Sequence, residues 1–206
     1  MVTEKSKHPR IGILGGSFDP VHVTHVDLAS RARDALGLDR VLLIPAARPP
    51  HKLHRRLSSD EDRLAMLELA LEGKKGLEVD DRELRRGGIS YTIDTVEDVL
   101  AQQPDAELYL IVGGDNLADL AGWRRFPDLA RKVILVVFHR PGSPPDIPGA
   151  LRGTPGLTME ILEAPPSPVS STDIRRRAAA GLSLEGLVPQ AVASYVCQNG
   201  LYRAKT

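Results

Sequence analysis

Two imidazoles three residues apart, His22 and His25, follow a Gly15-Gly16-Ser17-Phe18-Asp19-Pro20 turn. Arg10 to Leu14 reads as a short apolar strand, the paired glycines let the backbone turn closely beneath a ligand, and Thr24 can cap the helix that follows. Free amides and the positive dipole end of a helix start favour anions, and imidazole nitrogens donate to phosphate oxygens. An anionic ligand is therefore expected near residues 15–25, against Gly15, Gly16, Ser17, Phe18, His22 and His25.

Two further stretches offer related chemistry. Pro49-Pro50-His51-Lys52 presents His51 and Lys52 in a basic loop, and Val169-Ser170-Ser171-Thr172-Asp173-Ile174-Arg175 joins three hydroxyls and a guanidinium at another helix start. Three anion-binding segments suggest a polyphosphate. Neither G-x-G-x-x-G nor G-x-x-x-x-G-K-[ST] is present, so the phosphates must be held otherwise. His51 and His54 form a second His-x-x-His pair, which with the first raises a zinc site. The adjacent Lys52, Arg55 and Arg56 suit phosphate better than a dication, and no metal ligands are assigned. Of Arg175-Arg176-Arg177 only Arg175 is nominated, because successive helical residues point in different directions. Asp19 reads as a turn residue, Asp115 as a helix cap after Gly113-Gly114, and Trp123 equally as a core anchor.

These groups need a scaffold. β-Branched apolar runs at Ile11 to Leu14, Val41 to Ile44, Leu108 to Val112 and Val133 to Phe138 alternate with segments of helical spacing, which predicts an α/β fold with a parallel sheet. Helices are predicted at about His25 to Leu36, Ser59 to Leu71, Thr92 to Gln102, Asp115 to Leu120, Ser171 to Ala180 and Pro189 to Gln198. Thr24 with Asp27, Ser58 with Glu61 and Ser170 with Asp173 match the capping box. Ala46 to Leu57 and Pro141 to Pro155 read as surface loops. The first follows a strand, at the sheet edge where open α/β folds bind ligands.

Of the 206 residues, 27 are acidic and 27 basic, which leaves no overall field for nucleic acid or a membrane surface. Residues 1–9 read as a flexible polar tail without an apolar signal region, and residues 10–206 as one domain. No apolar run is long enough to span a bilayer, and the single Cys197 suits a reducing cytoplasm, where it reads as a small buried hydrophobe.

The blocks, taken in order, closely resemble the bacterial nicotinate-nucleotide adenylyltransferases of the H-x-G-H nucleotidyltransferase superfamily. The resemblance spans nearly the whole chain: the Gly15 to His25 segment, Pro49-Pro50-His51-Lys52, Ser90-Tyr91-Thr92-Ile93-Asp94-Thr95, and Gly113-Gly114-Asp115 with Trp123. It continues through His139-Arg140-Pro141, Ser170-Ser171-Thr172 with Arg175, and Leu187-Val188-Pro189 with Tyr195. Thr24 stands where the family motif has glycine. The resemblance implies a Rossmann-like doubly wound sheet with a helical C-terminal segment, residues 170–206. It also implies transfer of AMP from ATP to nicotinate mononucleotide, with Mg²⁺ bridging phosphates. By the same resemblance His22, His25 and Arg175 act at the ATP phosphates, while Asp115, Ser170, Ser171 and Thr172 contact the nucleotide. His51, Lys52, Thr92, Trp123 and Arg140 then serve the mononucleotide. The residues leave rivals open: an enzyme preferring nicotinamide mononucleotide, a four-histidine metal hydrolase, and a nucleotide sensor without turnover. Oligomeric state is not legible, and a homo-oligomer is compatible with the sequence.

Overall fold

The computed structural model describes residues 8–52, 54, 56–142, 145–165 and 169–203, the Lys52 side chain excepted. The tail expected over residues 1–9 thus lies mostly outside the described residues. Strands β1 (Arg10–Gly16), β2 (Arg40–Pro45), β3 (Leu77–Val79), β4 (Glu107–Gly113), β5 (Ile134–His139) and β6 (Thr158–Glu163) form one sheet. All pairings are parallel, in the order β3-β2-β1-β4-β5-β6. This is the doubly wound order expected, and the direction of winding reverses between β1 and β4, where such sheets open a ligand crevice beyond the strands' carboxyl ends.

The helices are α1 (Val23–Leu36), α2 (Asp60–Leu71), α3 (Arg82–Arg86), α4 (Thr92–Gln102), α5 (Leu117–Leu120) and α6 (Phe126–Ala130). Three more follow: α7 (Gly149–Arg152), α8 (Ser171–Ala179) and α9 (Gln190–Gln198). Short 3₁₀ turns at Pro50–Lys52 and Gly114–Asn116 interrupt segments expected as loop and helix.

Side chains alternate across the sheet with period two. Ile11, Ile13, Leu42, Ile44, Leu108, Leu110 and Val112 pack on one face with Ile93, Val96 and Val99 of α4. Leu14, Val41, Leu43, Tyr109, Ile111, Val136 and Phe138 pack on the other with α1, α2, α8 and α9. Both faces are covered, which explains why the central strands read as continuous apolar runs.

Several sequence expectations need correction. Asp115 lies inside the 3₁₀ turn and caps no helix, and the expected surface loop from Pro141 to Pro155 contains α7, with Leu151 buried. Thr24 does not cap α1, because the helix already begins at Val23 with His22 as N-cap, and His25 Nδ1 accepts the His22 backbone N–H at 3.3 Å. The cap of α2 is Ser59, whose hydroxyl accepts from Asp62 N at 3.0 Å, one residue later than the expected Ser58. Cys197 is exposed. Helix α9 buries Val192 and Val196, one turn apart, and the residue after Val196 is rotated off that stripe. The expected Ser170 cap is present, its hydroxyl accepting from Asp173 N at 3.1 Å.

Candidate active site

The carboxyl ends of β1 and β4 open into a cleft of about 970 Å³. Its floor is the turn after β1. Phe18 adopts a left-handed backbone, with φ 45°, and its buried ring lies where a side chain on Gly16 would stand, 3.1 Å from that Cβ position. A side chain at residue 16 would press on that ring, which would have to give by a few tenths of an ångström.

The histidines come next in the chain and in space. Their rings stack with centroids 3.7 Å apart at 25°, and His25 meets Phe18 edge-on at 5.0 Å. His22 is 6% exposed, and burial pushes its pKa down to about 4. It is neutral at physiological pH, so it can offer a ligand a hydrogen-bond donor but not a fixed charge. Its Nδ1 is buried without a hydrogen-bond partner among the described residues.

A pH dependence follows from that burial. Above pH 6.5 neither the folded nor the unfolded chain protonates this ring. Between 6.5 and about 4 only the unfolded chain does, so acidification through this window removes stability, up to about 3 kcal/mol. Urea midpoints measured across the window should fall with pH, and His22→Asn should flatten the slope. An equal slope in that variant would assign the loss to other groups.

The carboxyl-terminal segment closes the same turn from the other side. Arg175 Nη1 donates to the Asp19 carbonyl at 2.5 Å and Ser171 Oγ to the Pro20 carbonyl at 3.0 Å. Tyr202 donates its hydroxyl to Asp19 Oδ1 at 2.9 Å. Burial, then the Asp19 charge, holds that phenol well above its usual range. The start of α8 is thus bonded to the two residues that precede Val21 and His22, which unites the histidine turn with the serine-rich one.

A buried guanidinium ties the β1 and β2 turns together. Arg63 of α2 is 0% exposed, and its Nη1 donates to the Ser17 carbonyl at 2.9 Å and the Ala46 carbonyl at 2.7 Å. Nη2 pairs with Asp60. Ala46 N also donates to the Gly16 carbonyl at 2.8 Å. The loop after β2 is then tied to the start of α4, since Ala47 N donates to Ser90 Oγ at 2.9 Å and Ser90 N to the Arg48 carbonyl at 3.0 Å. In this way Pro49, Pro50 and His51 share the cleft with Ser90, Tyr91 and Thr92.

Of the nominated residues, Gly15, Gly16, Ser17, Phe18, His22, His25, His51, Thr92, Trp123, Ser171 and Arg175 line the cleft, as does Thr24. Trp123 does both things expected of it, packing against the core while lining the cleft. Ser170 and Thr172 face tasks within α8: Ser170 is the cap, and Thr172 Oγ1 accepts from Arg175 Nη2 at 3.0 Å. Asp115 and Arg140 pair with one another at 3.1 Å, 83% and 80% exposed, outside the cleft lining. The Lys52 side chain lies outside the described residues.

Residues the sequence did not nominate also stand here. Asp19 is 2% exposed and lines the cleft, as do Glu83 and Thr95, whose hydroxyl donates to Glu83 Oε1 at 2.5 Å. Arg63 had a legible signal: it occupies the first position of an i, i+3, i+4, i+7 stripe completed by Met66, Leu67 and Ala70, all buried. Among the described residues no three His, Cys, Asp or Glu side chains group as a metal site.

A doubly wound sheet with glycine turns, imidazoles and a second helix start around one crevice defines a nucleotidyltransferase. Residues 13–177 match the cytidylyltransferase-like family. A protein of Bordetella avium called a probable nicotinate-nucleotide adenylyltransferase is 43% identical over 203 residues, covering 94% of this chain and 98% of its own. One so named from Gemmatimonas aurantiaca is 43% identical over 196 residues, covering 94% and 92%. The chain belongs to the nicotinate-nucleotide adenylyltransferase family. A solved structure of Plasmodium falciparum nicotinic acid mononucleotide adenylyltransferase complexed with NaAD has the same fold. It shows a TM-score of 0.78 at 17% identity, over 95% of this chain and 98% of that one.

Proposed function

We propose that this chain joins the adenylyl group of ATP to nicotinate mononucleotide, releasing pyrophosphate and forming nicotinate adenine dinucleotide, a step of NAD biosynthesis. An oxygen of the mononucleotide phosphate bonds to the α-phosphorus as the bond from that phosphorus to the bridging oxygen of the β-phosphate breaks. The nucleophile is already an anion, so no general base or covalent intermediate is needed. Catalysis lies in aligning two polyanions and neutralising charge.

The observation that carries this reading, beside family membership, is the union at one turn of His22 and His25 with Ser171 and Arg175. The helix starts and Arg175 supply positive potential to the triphosphate, and the neutral His22 supplies a directional donor. In the same cleft Trp123 offers a flat indole face to a pyridine ring, and Thr92 begins a helix whose N-cap, Tyr91, provides no side-chain cap. A divalent ion such as Mg²⁺ would arrive with ATP and would supply charge neutralisation. The donor set suits an ion held mainly by substrate oxygens, with Asp19 the carboxylate nearest the histidine turn in sequence. No helix among the described residues is long and apolar enough to cross a membrane. We assign the activity to the cytoplasm, where its nucleotides are found and a lone cysteine stays reduced.

The test is to supply ATP, Mg²⁺ and each mononucleotide and to follow pyrophosphate and dinucleotide. Turnover with the acid should exceed that with the amide. Faster use of the amide would overturn the substrate assignment, and nucleotide binding without pyrophosphate would overturn catalysis.

A further inference from the structure

The chain beyond α8 carries two tyrosines, and each donates its hydroxyl to an aspartate. Tyr195 of α9 donates to Asp62 Oδ1 at 3.0 Å, which fastens α9 to the first turn of α2. Tyr202 donates to Asp19 Oδ1 at 2.9 Å. The two bonds are alike in chemistry but differ in where they lead. Asp62 lies outside the cleft lining, whereas Asp19 is 2% exposed and forms part of it.

The Tyr202 hydroxyl is not needed to hold that segment down. Val192 and Val196 are buried, Leu201 packs against the same core, and Leu201 N donates to the Val196 carbonyl at 3.0 Å. Tyr202 nevertheless takes a left-handed backbone, φ 68°, which residues with a side chain disfavour. In that conformation its ring packs on the core and its hydroxyl meets Asp19.

Asp19 shares the cleft with His22, His25 and Arg175, the groups proposed for the triphosphate. A carboxylate only accepts hydrogen bonds, so it competes with phosphate oxygens for the same donors. With Oδ1 held by the phenol, Asp19 Oδ2 takes no donor among the described residues. We propose that Tyr202 is a positioning residue of the reaction, its hydroxyl holding the Asp19 carboxylate off the imidazoles and Arg175 and so leaving them to ATP. This assignment rests on the adenylyltransferase reading of the same cleft. Without the hydroxyl, a carboxylate out of contact with bulk water must find another donor, and the cleft supplies the ones that ATP uses.

The experiment compares unsubstituted protein with Tyr202→Phe and Tyr195→Phe, measuring kcat and KM for ATP and for nicotinate mononucleotide. Each substitution deletes one hydroxyl and keeps the ring. Tyr202→Phe should raise KM for ATP about tenfold, the scale of one charge-assisted hydrogen bond, and leave KM for the mononucleotide within about twofold. Tyr195→Phe, which removes the same kind of bond away from the cleft, should leave both KM values within about twofold. A partly unfolded preparation lowers kcat but moves neither KM, so the comparison holds in whatever fraction folds. An unchanged KM for ATP in Tyr202→Phe, or an equal rise in Tyr195→Phe, would overturn the proposal while leaving the reaction intact. Unsubstituted protein that makes no dinucleotide would instead remove the reaction, and this assignment with it.

Discussion

His22→Ala is expected to lower kcat by about a hundredfold to a thousandfold, the range observed when one donor to a developing negative charge is removed from a water-poor site. The ring is buried, neutral at physiological pH and stacked on His25, so its nitrogen is held in place rather than supplied by a mobile side chain. The cost to stability should be much smaller. Alanine loses the stacking contacts, but it also removes Nδ1, a buried polar atom with no partner among the described residues. These effects oppose, leaving a net change of order 1 kcal/mol. The check is pre-steady-state pyrophosphate release alongside a urea melt. A folded variant that turns over at the unsubstituted rate would take His22 out of the mechanism.

Arg63→Met should cost more stability than His22→Ala. Methionine fills much of the volume but carries no donor, so the Ser17 and Ala46 carbonyls lose the guanidinium that joins them. The Ala46 carbonyl is left unsatisfied where it is buried and the Ser17 carbonyl loses a partner where it is partly buried, which together cost about 2 kcal/mol or more. Asp60 matters less, since its carboxylate is half in water. The same change frees the turn after β1 from the loop after β2, so KM for ATP should rise in whatever fraction remains folded. Chemical unfolding and ATP titration at low temperature measure both effects. A loss below about 1 kcal/mol would mean that water replaces the guanidinium at both carbonyls.

The scaffold was legible where burial imposes a repeating pattern. The central strands β1, β2, β4 and β5 have apolar side chains on both faces, and α1, α2, α4, α8 and α9 bury one stripe each, so these elements stood out within a residue or two of their observed bounds. The edges did not. Strand β3 has only three residues, and β6 has no fully buried residue, with Ile161 45% exposed, so neither carries an apolar run. Short α3, α6 and α7 hold at most five residues each, too few for a helical period to show. At the site, the glycine turn, the imidazoles and the α8 start could be read because each is a local motif. The Arg63 bonds to Ser17 and Ala46, and the stacking of Arg124 on Tyr91, join segments 17 to 46 positions apart along the sequence. No window of neighbouring residues reveals such partnerships. His22 shows a subtler limit: Val21 and Val23 flank it, but only the fold reveals that the ring between them is itself buried.

The bonds from Ser171, Arg175 and Tyr202 to residues 19 and 20 have a consequence for the order of events at the ribosome. The glycine turn and both imidazoles are translated early, and the groups that brace that turn follow more than 150 positions after the residues they hold. The floor of the cleft is therefore not fully braced in the emerging polypeptide until Tyr202 has been added.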